Sequence, residues 1–190
     1  IVGQNIDTLI IGFDVSLNSR MRELLYKSKK TIGTQLELEG YSFEIIKAKS
    51  SKHYQYTLSN NLMRINVSKA NSNYPNVRVK LNSFFLWSRG VKEARKQTLN
   101  ILVELGTIHP ESEKISRADL AIDITGIDSL LNGENPLNYV ISNGKKRKLH
   151  QDGNQITGFT IGKGKLRASI YNKSKELKTN RNHKKTELFK

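Results

Sequence analysis

Residues 77–106 read VRVKLNSFFLWSRGVKEARKQTLNILVELG, which sets an alternating segment directly before the most regular amphipathic segment of the chain. Val77–Leu81 alternates apolar and basic side chains, so it predicts a strand with one buried face and one basic face. From Gly90 to Gly106, apolar residues recur at helical spacing, and Gly106 suits the C-cap of a helix. This stretch therefore predicts a protein of the α+β class.

The same criteria extend outward from this stretch. Asn, Ser and Gly clusters separate β-branched segments, which predict strands at 6–13, 41–46, 54–58, 63–67, 116–124, 157–161 and 166–172. Helices are predicted at 19–28 and at 127–141, the second broken near Gly133 and Pro136. The order predicts an antiparallel sheet with helices packed mainly on one face. We expect one domain over 1–190, or two similar halves at about 1–107 and 115–190.

Charge is the strongest compositional feature. The 190 residues hold 32 Lys and Arg against 17 Asp and Glu, a net charge of +15. Residues 144–190 contain 14 of these cations and three acidic residues, a surplus of 11. Such clustering favours a nucleic-acid backbone as partner, although a solvated basic tail is the alternative.

Several function classes are excluded by composition. The chain contains no cysteine, which excludes disulfides and thiolate zinc sites. It lacks a membrane-spanning apolar run, a signal peptide and a nucleotide-binding GxxxxGK[ST] loop, so we expect a cytoplasmic protein that does not use ATP. The four histidines are scattered, so a His-x-His metal site is excluded as well.

The predicted strand at 115–124, ISRADLAIDI, places two carboxylates on one face. Side chains alternate in a strand, so Arg117, Asp119, Ala121 and Asp123 share a side opposite apolar residues. One interpretation is a divalent-metal site, since hard cations bind carboxylate oxygens. The other is an exposed strand face on which Arg117 and Asp119 form an ion pair.

The predicted strand at 166–172 presents a tyrosine among cations. Arg167, Ser169, Tyr171 and Lys173 share one side of this strand. A phenol is a weak nucleophile until neighbouring cations or a metal favour the phenolate. Without further information, Tyr171 is either a nucleophile or an ordinary packing or base-stacking side chain.

Two motifs resemble one known family. Residues 116–123, SRADLAID, are similar to the TRLDLAxD strand of rolling-circle plasmid replication initiators of the Rep_trans type, which includes relaxases of some conjugative elements. Residues 169–176, SIYNKSKE, are similar to the family's RIYNKxxE stretch, and 159–162 to its preceding xYxG strand. The resemblance covers about 115–190. The family's arginine two positions before the tyrosine is Ser169 here, so Arg167 or Lys173 would supply that charge.

The resemblance implies a site and a chemistry. It implies that Tyr171 attacks a DNA phosphodiester. Because Tyr171 and Asp119 each lie on the polar side of their strand, we predict that Tyr171 is accessible to solvent and lies on the same sheet face as Asp119. Residues 185–188 are similar to the family's RVEIEL strand, which implies that Glu187 and Asp119, with Asp123 as a further candidate, bind Mg²⁺ or Mn²⁺. The family's C-terminal, origin-recognising region would lie beyond residue 190.

We therefore predict a metal-dependent, single-strand DNA endonuclease and strand transferase that initiates rolling-circle replication through a 5′-phosphotyrosyl intermediate. The DNA-binding residues are predicted to be Arg117, Lys163, Lys165 and Lys175. Expected partners are a single-stranded or extruded replication origin, a host helicase and a second copy of the chain. The alternative is a non-enzymatic DNA- or RNA-binding module in which Tyr171, Phe159 and Trp87 stack on bases.

Overall fold

The computed structural model describes residues 3–28, 33–47, 53–68, 74–126, 131, 135–164 and 166–175. The chain divides into two compact units, Gln4–Ile122 and Ile1–Gly3 with Asp123–Lys190. The division falls after residue 122, whereas the two predicted halves were separated between residues 107 and 115. A large antiparallel sheet and a few helices confirm the predicted α+β class.

The larger unit is built on a seven-stranded sheet of order β3-β4-β5-β6-β7-β1-β9. Its strands are β1 (Gly3–Phe13), β3 (Thr34–Leu38), β4 (Tyr41–Lys47), β5 (Tyr54–Ser59), β6 (Met63–Ser68), β7 (Val77–Leu81) and β9 (Lys114–Asp123). The short strands β2 (Val15–Leu17) and β8 (Gly106–Ile108) pair separately. The helices are α1 (Ser19–Ser28), α2 (Ser83–Arg89) and α3 (Val91–Leu105).

One face of this sheet forms the core. Leu81 on β7 lies opposite Leu9 on β1 and Met63 on β6, and the three side chains are buried. The same parity continues along β7 through Val79 and Val77. All three helices bury residues in this one cluster, which confirms that the helices of this unit pack on one face. The alternate residues of β7, Arg78 and Lys80, are exposed, as the period-two pattern predicted.

Helix α2 was not predicted. Its sequence, SFFLWSR, is too uniformly apolar to show a helical stripe. The local signal is its N-cap, because the Asn82 side chain accepts a hydrogen bond from the Phe85 N–H at 3.0 Å. Gly106 caps α3 as predicted, its N–H donating to the Leu102 carbonyl.

The smaller unit contains the three-stranded sheet β10-β11-β12, formed by Arg147–Asp152, Gln155–Lys163 and Leu166–Tyr171. Strand β10 was not predicted. In the helix predicted at 127–141, residues 127–130 and 132–134 lie outside the described residues, and the described part contains a 3-10 helix at Pro136–Tyr139. In neither unit does a described helix have the length and apolar character needed to cross a membrane.

The two strands that carry the family-like motifs are end strands of their sheets among the described residues, β9 in one unit and β12 in the other. Their apolar sides were expected to be buried, but Leu120 is 78% exposed and Leu166 is 87% exposed. Alternation identifies the apolar side of a strand correctly, yet it does not specify a layer that covers this side.

Candidate functional site

Tyr171 lies in a cross-strand row of the three-stranded sheet. It is opposite Gly158 on β11, which is in turn opposite His150 on β10. Its side chain is 45% exposed, in agreement with the prediction that it is accessible to solvent. The row places an exposed phenol and an imidazole on one face, with only a glycine between them.

Gly158 keeps this row open. A Cβ atom at position 158 would lie 2.7 Å from the Tyr171 Cβ and 2.4 Å from the Ile170 carbonyl oxygen. Both distances are too short for nonbonded atoms, so the backbone of β11 approaches Tyr171 as closely as it does only because residue 158 has no side chain.

A lysine approaches the phenol. Lys173 Nζ is 3.4 Å from the Tyr171 phenol oxygen and 5.4 Å from the centre of its ring. Strand β12 ends at Tyr171, so Lys173 lies in the helical turn at 173–175 rather than on the strand face that it was predicted to share with Tyr171. The Asn172 side chain accepts a hydrogen bond from the Lys175 N–H at 3.0 Å and holds this turn. An ammonium at this distance stabilises negative charge on the phenol oxygen.

A hydrogen-bonded chain runs beside the tyrosine. His150 Nε2 is 2.8 Å from Thr160 Oγ1, and Thr160 Oγ1 is 3.1 Å from Ser169 Oγ. Ser169 stands where the family has an arginine, and here its hydroxyl ends this chain between Arg167 and Tyr171 on β12.

These residues surround a cleft of about 630 Å³. Three of the predicted site residues, Arg167, Tyr171 and Lys175, line it together. The other lining residues include Ser169, Thr160, His150 and Asp152, and the last three of these were not predicted to belong to the site. The only sequence signal for His150 and Asp152 was their place in the segment RKLHQD. This segment was not predicted as a strand because it begins with basic residues.

The predicted carboxylates are arranged differently. Arg117 Nε donates to Asp119 Oδ1 at 2.8 Å and Arg117 Nη2 to Oδ2 at 2.7 Å, a bidentate ion pair. The Asp119 carboxylate raises the pKa of Arg117 through these hydrogen bonds. This is the ion pair that the sequence left open as one interpretation of the strand. Asp119 lies on β9 and Tyr171 on β12, so the two belong to different sheets rather than to the one face on which we expected them.

The spacing along β9 also separates the two aspartates. Asp119 and Asp123 are four residues apart on one strand, which corresponds to about 13 Å between their Cα atoms. Carboxylates that share one ion must reach within about 2.6 Å of it, so a single cation does not bind both. Asp123 is therefore not a second ligand to an ion held by Asp119.

The remaining predicted residues are distributed as follows. Glu187 and Lys165 lie outside the described residues. Lys163 is exposed in the hairpin between β11 and β12, where Gly162 and Gly164 have positive φ angles of 88° and 73°. Within the described part of the chain, no three His, Asp or Glu side chains come together as a metal site. The expected Mg²⁺ or Mn²⁺ therefore remains a prediction, since its candidate ligand Glu187 is not among the described residues.

Two aromatic residues of the binding-module alternative are buried or half-buried. Phe159 is 1% exposed. The indole N–H of Trp87 donates to the Ile6 carbonyl at 3.0 Å, and its ring packs against the core of the larger unit. Of the three aromatic side chains named for that alternative, Tyr171 is the most exposed.

Comparison with known proteins adds no family assignment. No protein-family model matches the sequence, and no curated protein is significantly similar to it.

Proposed function

We propose that this protein nicks and rejoins single-stranded DNA with Tyr171 as the nucleophile. The observation that carries the proposal is the placement of an exposed tyrosine beside Lys173, in a cleft that Arg167 and Lys175 also line. The similarity of residues 169–176 to the RIYNKxxE stretch of rolling-circle initiators supports the same assignment.

The chemistry is a transesterification. The Tyr171 oxygen loses its proton and forms a bond to phosphorus, while the bond from phosphorus to the 3′-oxygen breaks and this oxygen takes up a proton. The products are a 5′-phosphotyrosyl link and a free 3′-hydroxyl. Lys173 stabilises charge on the attacking oxygen, and Arg167 offers a guanidinium to the phosphate. Because the link is itself a phosphodiester, a later hydroxyl rejoins the strand without ATP.

The free 3′-hydroxyl is what a polymerase needs, so the reaction suits the start of rolling-circle replication at a single-stranded or extruded origin. The host helicase and the homodimer remain expectations of this proposal. The requirement for Mg²⁺ or Mn²⁺ also remains an expectation. Metal binding would need Glu187 as a ligand, and the Asp119 carboxylate would have to leave its ion pair with Arg117.

The experiment is a search for a covalent adduct. The protein is incubated with a labelled library of random single-stranded oligonucleotides and Mn²⁺, with and without a chelator, and separated under denaturing conditions. We expect a chelator-sensitive labelled band that Tyr171→Phe abolishes. The matched control is Tyr139→Phe, since Tyr139 is 65% exposed in the same unit. A band that persists in Tyr171→Phe, or its absence from the wild type, would overturn the proposal.

Two further variants separate cleavage from binding. Asp119→Ala is expected to abolish adduct formation with little effect on DNA binding, since phosphate contacts come from cations. Normal nicking in that variant would make Asp119 structural. Tyr171→Phe distinguishes the binding module from the enzyme, because phenylalanine still stacks on a base but has no oxygen with which to attack.

A further inference from the structure

The face of the seven-stranded sheet opposite the helices carries a compact group of cations. Arg64 on β6 lies directly opposite Lys80 on β7. Arg78 precedes Lys80 by two residues on β7, so both lie on the same side of the sheet. All three side chains are exposed. Strand geometry sets Arg64 and Lys80 about 5 Å apart and Arg78 about 7 Å from Lys80, measured between Cα atoms. We call Arg64, Arg78 and Lys80 the sheet cations.

The sheet cations share their face with no acidic side chain on β5, β6, β7 and β1, and the acidic residue in their cross-strand row is the exposed Glu44 on β4, opposite Ser59. The side chains that share this face on β5, β6, β7 and β1 are Thr57, Ser59, Asn66, Ser68, Thr8, Ile10 and Gly12. Asp14 lies just after β1; burial raises the pKa of Tyr54, and the charge of Asp14 also raises it, against the effect of Arg78. Like charges directly opposite each other in a sheet lower its stability. The pair Arg64–Lys80 therefore has a cost that no described ion pair offsets.

Aromatic side chains flank the sheet cations. The Arg78 guanidinium lies over the Tyr54 ring, 5.0 Å from its centre, which holds the cation in place. The Tyr54 hydroxyl donates to the Pro75 carbonyl at 3.1 Å. Beside Pro75, the ring of Tyr74 is 58% exposed and lies 4.9 Å from the ring of His53. Tyr74 is thus linked to Arg78 through Pro75 and Tyr54, and its exposed ring provides a surface on which a base can stack.

We propose that the sheet cations and Tyr74 form a second binding surface for single-stranded nucleic acid, with phosphates on the cations and a base on Tyr74. Clustered cations alone would bind any polyanion. A nucleic acid also carries aromatic bases, so it can contact both the sheet cations and the exposed Tyr74 ring. The choice of DNA rather than RNA rests on the proposed function. The surface belongs wholly to the larger unit and uses neither Tyr171 nor the cleft.

Fluorescence anisotropy with a labelled 15-residue oligo(dT) and the full chain tests this surface. The double variant Arg64→Glu with Lys80→Glu removes two phosphate contacts, so the slope of log K against log salt should fall by about 1.4. At 0.1 M salt, the affinity should fall roughly tenfold or more. The matched control is Lys92→Glu with Lys96→Glu, an equal change of charge at exposed positions of α3, in the helical layer. Equal losses in the two double variants would overturn the proposal.

Milder variants guard against misfolding. Arg64→Gln relieves the repulsion of Lys80, so it should raise the unfolding temperature slightly and still weaken binding. Lower stability with unchanged binding would show that Arg64 has only a structural role. Tyr74→Ala should weaken binding without changing the salt slope, and an unchanged affinity would remove Tyr74 from the surface.

The outcome is separable from that of the proposed function. Arg64→Glu with Lys80→Glu should lower the affinity for oligo(dT) by the same factor in the Tyr171→Phe background, which forms no adduct, as in the wild type. If the wild type forms no adduct but the Arg64 and Lys80 variant loses affinity, nicking is wrong and the binding surface stands. Tighter binding of oligo(U) than of oligo(dT) would assign the surface to RNA. An acidic peptide that competes as well as DNA would overturn the assignment to nucleic acid.

Discussion

Replacement of Gly158 by alanine tests whether the cleft has the geometry described above. The added methyl group would lie 2.4 Å from the Ile170 carbonyl oxygen and 2.7 Å from the Tyr171 Cβ. Gly158 does not have a positive φ angle, so alanine can adopt its backbone conformation without strain. The loss of stability therefore comes from the steric clash. Overpacking of this kind costs about 1–3 kcal/mol, here through separation of β11 from β12.

Amide hydrogen exchange reports this cost locally. A loss of about 1–3 kcal/mol corresponds to a roughly 5- to 150-fold fall in protection of the amides paired between β11 and β12. Amides of Gln4–Ile122 should keep their protection. Displacement of the tyrosine by about 1 Å should also lower adduct formation by roughly 100-fold.

Gly153→Ala is the control for Gly158→Ala. Gly153 has a φ of 57° in the β10–β11 turn, and a Cβ atom added there would have no neighbour within 4 Å, so alanine costs backbone strain without a clash. It should reduce stability by about 1 kcal/mol and leave adduct formation near that of the wild type. Wild-type protection in Gly158→Ala would refute the close approach of β11 to Tyr171, and equal loss of adduct in both variants would refute its local effect on the nucleophile.

Three further predictions concern stability. Asn82→Ala should lower the free energy of unfolding by about 1 kcal/mol in chemical denaturation, because it removes the N-cap of α2, and no change would refute that role. Gly106→Ala should lower the free energy of unfolding by more, about 1–3 kcal/mol, since the added Cβ would lie 2.1 Å from the Ser16 carbonyl oxygen. Wild-type stability with an intact β2–β8 pair would contradict this prediction. Hydrogen bonds from Arg95 lower the pKa of Glu113, so the pair stabilises the folded state at neutral pH and loses this effect as the pH falls through the lowered pKa. The difference in unfolding midpoint between Arg95→Ala and the wild type should therefore be small, should be largest at pH 7 and should shrink as the pH falls. A difference that stays constant with pH would contradict this linkage.

The elements that the sequence predicted well are those with a clear period. Helix α1 begins and ends at the predicted residues, and β7 has the predicted alternation of buried and basic side chains. Strands β2, β3 and β8 were not predicted. Helix α2 and strand β10 were missed because one is mostly apolar and the other begins with basic residues. In both, tertiary contacts decide the structure over the local pattern.

The candidate site was predictable only along a single strand. Arg167, Ser169 and Tyr171 were placed together because residues two apart share a side of β12. His150 and Thr160 reach the same face through the register of β10 with β11, which includes an irregularity between His150 and Gln151. A one-residue irregularity changes which side chains share a face, and no local periodicity reveals it.

Charge illustrates the same limit of a one-dimensional pattern. Residues 144–190 hold 11 of the 15 excess positive charges, so the sequence directed attention to the smaller unit and away from residues 1–143. Strand alternation places the sheet cations on the face of the seven-stranded sheet away from the helices, and exposed Glu37 and Glu44 lie on the same face of β3 and β4. Electrostatic attraction is screened beyond about 8–10 Å at ordinary salt, so an approaching phosphate responds to the nearby face more than to the sum over the unit. A segment with little net charge therefore presents a strongly basic surface, because strand alternation places cations two residues apart on the same side.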